Sequence, residues 1–572
     1  MFKKSSLKNI NFILIIILGI AAGVRYWGIH FGFSFRPDEE QVVGIIDSAF
    51  NPIFFNHPAF YKYIVLFFYK IYFLIGLIFG KYKTIADFMV EYRVTPENFY
   101  FINRYVAAFL GTLTVLIVYR ITKKLFDKRT AVISALFMGL AYLHVRDSHF
   151  GVTDTPLTFL VMLFTFFLIK VMRTKSLSSY IYCGILAGLA ASTKYPGVLV
   201  IFPMLIIHFL NIIDSRQKLS KLILDKRIIF FILVCAFFYL LGNPHTLLSY
   251  GKFKEGLLRC IRIFRFGDRN VMDIGWFHHL KFSLFYGLGW PLFFTSLAGF
   301  IVIIKTNFRR ALLLCSFPVV YYAVFGQGYN VFLRYALPLV PFFCIAAAVF
   351  TADIMGYLER HLKARLVKIA VFLIPVLIIL PSVYNILCFD SLLSKKDNRL
   401  IAGEWVNSNL AEGSSIAQSV RFATYGVLMI YPTVESLRRE YARAVLSNNL
   451  LQEKYSLARI NFMKNNDIKG FNEVTYDRLS KLFISKLDGT SILLPDYIIV
   501  EESPLEYYSL ISREPIERLR KSYYLLKEFP AIDIKNKTNL FDQQDIFYMP
   551  LVGFKGVRRP GPNIYIYARK PV

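Results

Sequence analysis

The sequence predicts a polytopic α-helical membrane protein of about eleven spans by the length criterion, with helices lying on its outer face and a soluble α/β domain at its C-terminal end. Three observations carry this expectation. The 572 residues are 56% hydrophobic with a mean hydropathy of +0.47, a balance that suits helices keeping every backbone hydrogen bond within the segment in lipid. Apolar runs of spanning length alternate with short loops in which Lys and Arg collect. After residue 386 the composition turns charged, with short β-rich runs between helical stretches.

The formal charge of +29 does not point to nucleic acid, because the basic residues sit in loops between apolar runs, as cytoplasmic loops require. Aromatics at 17% fit lipid-facing helices with interfacial belts. The six cysteines are scattered without a C-x-x-C pair, which leaves neither a metal cluster nor a disulfide framework to expect.

In chain order, a basic flank (Lys3, Lys4, Lys8) precedes the first span at 10–29. Gly19-Ile20-Ala21 has the small residues of a signal-peptidase site, yet the apolar run continues past it, so an uncleaved anchor is expected. Further spans are expected at 103–121, 130–145, 155–171, 177–193, 197–213, 228–241, 282–304, 311–325, 335–354 and 366–386. The basic loops around Lys123–Arg129, Arg173–Lys175, Arg216–Arg227, Lys305–Arg310 and Arg360–Lys368 share one side if the N-terminus is cytoplasmic. That parity requires the apolar stretch 64–79, which carries Lys70, to be an interfacial helix rather than a span. One loop breaks the charge rule: Arg259, Arg262, Arg265 and Arg269 recur at helical spacing on the outer side, as in an amphipathic helix on a lipid surface. The domain boundary is expected at 390, with 391–572 extracytoplasmic. In that part, a helix is expected around Asp397–Asn407 and strands at 415–417, 497–500 and 563–567.

Chemistry-bearing residues concentrate on the proposed outer side. Arg36-Pro37-Asp38-Glu39-Glu40 follows the first span, and His57-Pro58, Tyr61 and Lys62 follow it. One carboxylate there can act as general base with its neighbour orienting it, or as a metal ligand; the alternative is an ordinary acidic loop. Arg146-Asp147-Ser148-His149 and Asp154 form a second polar turn, readable as a site or as a self-neutralised salt bridge. Lys194-Tyr195 ends an apolar helix, where the lysine either snorkels or meets a phosphate as a point charge. Arg334-Tyr335 and Asn243-Pro244-His245 supply further outer turns. Acids early and cations later, all near one lipid boundary, offer a base for an attacking hydroxyl and a counter-charge for a departing phosphate.

These residues resemble the GT-C membrane glycosyltransferases. The resemblance rests on the acidic motif after the first helix, His57-Pro58 with Tyr61, Arg104 through Gly111, Asp154, and Gly184–Gly188 leading to Thr193-Lys194-Tyr195. It covers about residues 12–335 and is strongest to the protein O-mannosyltransferase-like and aminoarabinose-transferase-like groups (glycosyltransferase families 39 and 83). The usual His-Pro-Pro is His57-Pro58-Ala59 here, and the soluble part matches no known module.

The resemblance implies an inverting hexosyl- or pentosyltransferase in a bacterial inner membrane. Its donor would be a polyprenyl-phosphate-linked sugar, and its acceptor a hydroxyl or phosphate on a protein, lipid or glycan. Asp38 would be catalytic with Glu39 beside it. His57, Tyr61, Lys62, Arg146, His149, Asp154, Lys194, Tyr195, Arg334 and Tyr335 would bind substrate. No cofactor is required by this reading; a divalent metal on Glu39, Glu40 and His57 stays open, since two carboxylates and one histidine are weak evidence. The rival reading is a flippase for the same lipid-linked sugar, which would favour duplicated halves and mid-depth charges; neither stands out in the sequence.

Overall fold

The computed structural model describes residues 2–32, 37–48, 55, 57–218, 220–267, 272–419, 428–477, 482–485, 491–502, 504–505, 521–544 and 548–571. Arg36 and Arg269 of the sequence motifs lie outside these residues. The chain divides into two compact units. The first comprises Met1–Ile29, Gln41–Phe67 and Ile102–Asp390; the second comprises His30–Glu40, Phe68–Phe101 and Ser391–Val572.

The first unit is helical. Among the described residues seven helical stretches are long and apolar enough to cross a membrane, or eight if one bent pair counts as a span. Several expected spans take a different form. The stretch 130–145 is two short helices, Lys128–Gly139 and Tyr142–Ser148. The break between them is stable because one hydroxyl serves both freed backbone groups: Ser382 Oγ accepts from the Tyr142 N–H and donates to the Leu140 carbonyl, each at 2.8 Å. The stretch 282–304 bends by 111° between Gly275–Tyr286 and Trp290–Thr306. Gly289 at φ +83° takes a left-handed conformation that a side chain would oppose, and a proline stands in the first turn of the next helix. The apolar stretch 64–79 lies within a 19-residue helix, Phe60–Ile78, which meets the length and apolarity of a span.

Gly184 and Gly188 of the sequence motif have a packing role. They face the Lys226–Gly242 helix so closely that a Cβ would lie 2.8 Å from the Phe231 carbonyl and 2.5 Å from that of Cys235. Small residues at this spacing are what let two helix backbones approach in lipid. The basic stretch near Arg262 is a helix, Tyr250–Phe266, with no buried residue and with Leu258, Ile261 and Phe266 exposed.

The second unit is built on a mixed sheet. Its strands run in the order Ser491–Ile492, Leu482–Ser485, Gly470–Asp477, Ser415–Ser419, Tyr497–Glu502, Asn563–Arg569 and Tyr523–Phe529. Ser415–Ser419 pairs in parallel with both neighbours, while Asn563–Arg569 is antiparallel to both of its own. The Asn398–Asn409 helix, capped by Asp397, buries Ala402 and Val406 against Ile416, Ile499, Ile564 and Ile566. The Ile85–Val94 helix, started by a Thr84–Asp87 capping box, belongs to this unit too. It packs on Leu450–Asn465 through Asp87 and Lys454, 3.8 Å apart, and through Arg93 over the Tyr455 ring.

Candidate functional site in the membrane unit

Three charged residues from three separate elements meet inside the first unit. Asp154 opens the Asp154–Thr174 helix, where a carboxylate complements the positive helix end. Lys194 caps the C-terminal end of Leu177–Thr193, the position that favours a cation. Arg334 lies in the short 3-10 segment Leu333–Leu339. Lys194 Nζ donates to Asp154 Oδ1 at 2.6 Å, and Arg334 Nε lies 3.7 Å from Oδ2. All three are buried, at 1%, 7% and 4% exposure for Asp154, Lys194 and Arg334. A carboxylate here gathers two cations in a poorly solvated place, and buried cations held at fixed positions are groups that can meet an anion.

The aromatic surroundings hold the cations in place. Lys194 Nζ stands 4.4 Å from the centre of the Tyr335 ring, and the Arg334 guanidinium 4.0 Å from that of Phe332. The Tyr321 hydroxyl donates to the Tyr335 carbonyl at 3.0 Å and ties down the 3-10 segment. Tyr195 donates its hydroxyl to the Phe55 carbonyl at 2.9 Å.

Tyr61 reaches the turn before Asp154 through a residue that the sequence reading passed over. Its hydroxyl donates to Asn103 Oδ1 at 2.9 Å, and Asn103 Nδ2 donates to the Gly151 carbonyl at 2.8 Å. A Cβ at Gly151 would fall 2.0 Å from Asn103 Nδ2, so only glycine fits there. Asn103 is fully buried, and a lone amide at the head of an apolar run is the signal that would have flagged it. Lys62, beside Tyr61, is buried, and His57 is half-buried.

Arg146 and His149 are engaged within the protein. Arg146 Nη1 lies 3.2 Å from Asp147 Oδ2, and Thr155 Oγ1 donates to the Asp147 carbonyl. Each ring nitrogen of His149 stands 3.0 Å from a backbone carbonyl oxygen, of Val145 and of Trp27, and Asp390 is 3.5 Å from Nε2. Neighbouring Arg25, also missed from the sequence, donates to the carbonyls of Ala21, Gly139 and Met138 and contacts His144 Nδ1 at 3.1 Å.

Asp38, Glu39 and Glu40 belong to the second unit. They form the first turn of the Pro37–Val43 helix, where negative charge is stabilised by the helix end. Successive side chains diverge by about 100° on a helix, and Glu39 is buried while Glu40 is exposed. Among the described residues no group of three or more His, Cys, Asp or Glu is arranged to hold a metal ion. The set Glu39, Glu40 and His57 is therefore not brought together as ligands. In the same unit Arg399 pairs with Asp397 at 2.9 Å, and burial pushes the nearby Glu501 carboxyl up to about 8.

Residues 100–247 match the family model of dolichyl-phosphate-mannose-protein mannosyltransferases. The oligosaccharyltransferase of Archaeoglobus fulgidus, in a crystal structure with zinc and sulfate, is 13% identical with a TM-score of 0.50, covering 97% of this chain and 88% of that one. ArnT from Cupriavidus metallidurans, bound to undecaprenyl phosphate, is 12% identical with a TM-score of 0.51, covering 97% of both chains. No curated protein matches by sequence. The chain thus has the fold of the GT-C membrane glycosyltransferases. It is an integral membrane protein, and the findings together support glycosyl transfer in general.

Proposed function

We propose that the protein transfers a hexosyl or pentosyl group from a polyprenyl-phosphate-linked donor to a hydroxyl or phosphate of a protein, lipid or glycan. The transfer takes place on the extracytoplasmic face of a bacterial inner membrane, with the N-terminus cytoplasmic and 391–572 outside. The observation that carries this reading is the buried Asp154–Lys194–Arg334 cluster, which gathers two cations inside a GT-C fold. The likeness to ArnT bound to undecaprenyl phosphate supports a lipid phosphate as the anion.

The reaction is an inverting single displacement. Asp38 accepts the proton of the acceptor hydroxyl, and the freed oxygen attacks the anomeric carbon from the face opposite the phosphate. The new glycosidic bond forms as the bond from that carbon to the phosphate oxygen breaks, and the polyprenyl phosphate leaves with the electron pair. Lys194 and Arg334 stabilise the charge that grows on it, and Asp154 holds the two cations at fixed places. Glu39 orients Asp38. His57, Tyr61, Lys62, Tyr195 and Tyr335 contact donor or acceptor, and Arg146 and His149 position the turn that leads to Asp154.

Membranes containing the protein, given a labelled lipid-linked sugar and a total envelope extract as acceptor, release polyprenyl phosphate in step with transfer. Asp38→Asn, which keeps size but removes the base, abolishes that release while the protein still accumulates in membranes. Near-normal turnover in the variant removes Asp38 from the mechanism. Translocation of the lipid without its consumption identifies a flippase instead.

A further inference from the structure

A second cationic cavity lies at the opposite ends of the helices that carry Asp154 and Lys194. It has a volume of about 410 Å³ and is lined by Lys124, Lys170 and Arg173 together with the hydroxyls of Thr174, Ser176 and Ser179. None of its lining residues is acidic, and among the described residues no carboxylate forms an ion pair with any of the three cations. Three like charges around one hollow repel each other, and a bound anion offsets that cost.

The local geometry gathers these groups. Arg173 reaches back to donate to the Lys124 carbonyl, which joins the ends of Glu97–Leu125 and Asp154–Thr174. Lys175 then turns the chain in the left-handed conformation, φ 52°, and Ser176 stands at the start of the 17-residue helix Leu177–Thr193. Its hydroxyl makes no capping bond; it lies instead 2.8 Å from Ser179 Oγ and 3.0 Å from Thr174 Oγ1, a cluster of rotatable donors. Beside the cations the surface becomes apolar and aromatic. Lys124 Nζ is 4.5 Å from the Phe166 ring centre, Lys170 Nζ 4.7 Å from that of Phe167, and the Phe167 and Tyr182 rings stand 4.9 Å apart. Tyr182 is half-exposed.

Cations and hydroxyls at the end of two apolar helices, with aromatic rings running down from them, match a molecule having a phosphate head and hydrocarbon tails. We propose that this cavity binds the phosphate of an anionic phospholipid in the leaflet that the basic loops face. Lys170 and Arg173 hold the phosphate, the serine and threonine hydroxyls donate to its oxygens, and an acyl chain lies along Phe167 and Tyr182. The site is separate from the Asp154 cluster and does not depend on the transferase reading.

The test uses the full-length chain purified in detergent, with phosphatidylglycerol, phosphatidylcholine or inorganic phosphate added, read by native mass spectrometry and by thermal unfolding. The wild type retains phosphatidylglycerol and is stabilised by it, and phosphatidylcholine does neither. Lys170→Gln combined with Arg173→Gln lowers retention by tenfold or more. Lys170→Arg combined with Arg173→Lys, which keeps both charges, retains the lipid, and an unfolding midpoint of the double glutamine variant equal to that of the wild type without added lipid separates lost binding from misfolding. Equal retention by the double glutamine variant, equal retention of phosphatidylcholine, or equal stabilisation by inorganic phosphate alone each overturns the proposal.

Discussion

The membrane unit contains two buried polar clusters that differ in where their charges are spent. Around Asp154 a carboxylate binds side chains, Lys194 and Arg334, contributed by elements far apart in sequence. Around Arg25 the guanidinium serves three backbone carbonyls, two of them at the end of the Lys128–Gly139 helix. His149 is likewise held between two carbonyls. Burying a charge is costly in both places. The second cluster recovers that cost as architecture, because it satisfies helix ends that have no water to bond with. The first joins charged side chains from three separate elements to one another, although Asp154 and Lys194 also stand at helix ends that suit their charges. Burial and charge alone therefore do not tell the two clusters apart; the identity of the partners does.

The sharpest way to break this contrast is Asp154→Asn. Lys194 and Arg334 then lose the carboxylate between them, and breaking a buried pair in this way costs about 3–5 kcal/mol. Transfer falls to background, and the thermal midpoint of the detergent-purified protein drops. A variant that keeps wild-type turnover would show that the cluster is architectural, like its counterpart. Arg25→Gln comes next. It strands buried carbonyls at about 1–3 kcal/mol each, so yield and thermal midpoint fall, while the donor KM of the surviving protein stays unchanged. A selective change in donor KM would place Arg25 at the substrate instead. Asp390→Asn is milder. Neither Asp390 oxygen has a hydrogen-bond partner, so removing its charge breaks no hydrogen bond and relieves the cost of burying a carboxylate, and the thermal midpoint holds or rises. A collapse comparable to that of Asp154→Asn would mean that the His149 contact at 3.5 Å is a needed ion pair.

The same contrast explains what could be read from the sequence. The helical membrane class was legible because apolar length is a local property, and so were the helix 398–409 and the strands at 415–419, 497–502 and 563–569. The two helix breaks were not: Leu140 and Tyr142 lose their helical partners to Ser382, some 240 positions away. The strand Gly470–Asp477 was hidden by Asn472 and Glu473, half-buried polar residues that a sheet tolerates where one face is only half-covered. For the site, charge parity grouped Asp154, Lys194 and Arg334 on one side of the membrane, but no spacing rule foretells that they touch. That the His149 ring rests between the carbonyls of Val145 and Trp27 could not be read either, because a backbone carbonyl carries no signature in sequence.

A carboxylate of the second unit extends the comparison to pH. Glu501 lies near the Arg399–Asp397 pair, yet its buried Oε1 has no hydrogen-bond partner. Burial pushes its carboxyl up from 4.5 to about 8; the Arg399 charge opposes that shift and Asp397 adds to it. Below pH 4.5 the group is protonated in both the folded and unfolded chain and costs nothing. Between 4.5 and about 8 the folded protein keeps a proton that the unfolded chain has released, so stability falls as pH rises through that window and levels off above it. Glu501→Gln has no proton to lose. Its unfolding midpoint matches the wild type near pH 5 and exceeds it near pH 8.5, as read by thermal denaturation of the full-length protein at the two pH values. Equal midpoints at both would mean that Arg399 compensates the Glu501 carboxylate as fully as Lys194 and Arg334 compensate Asp154.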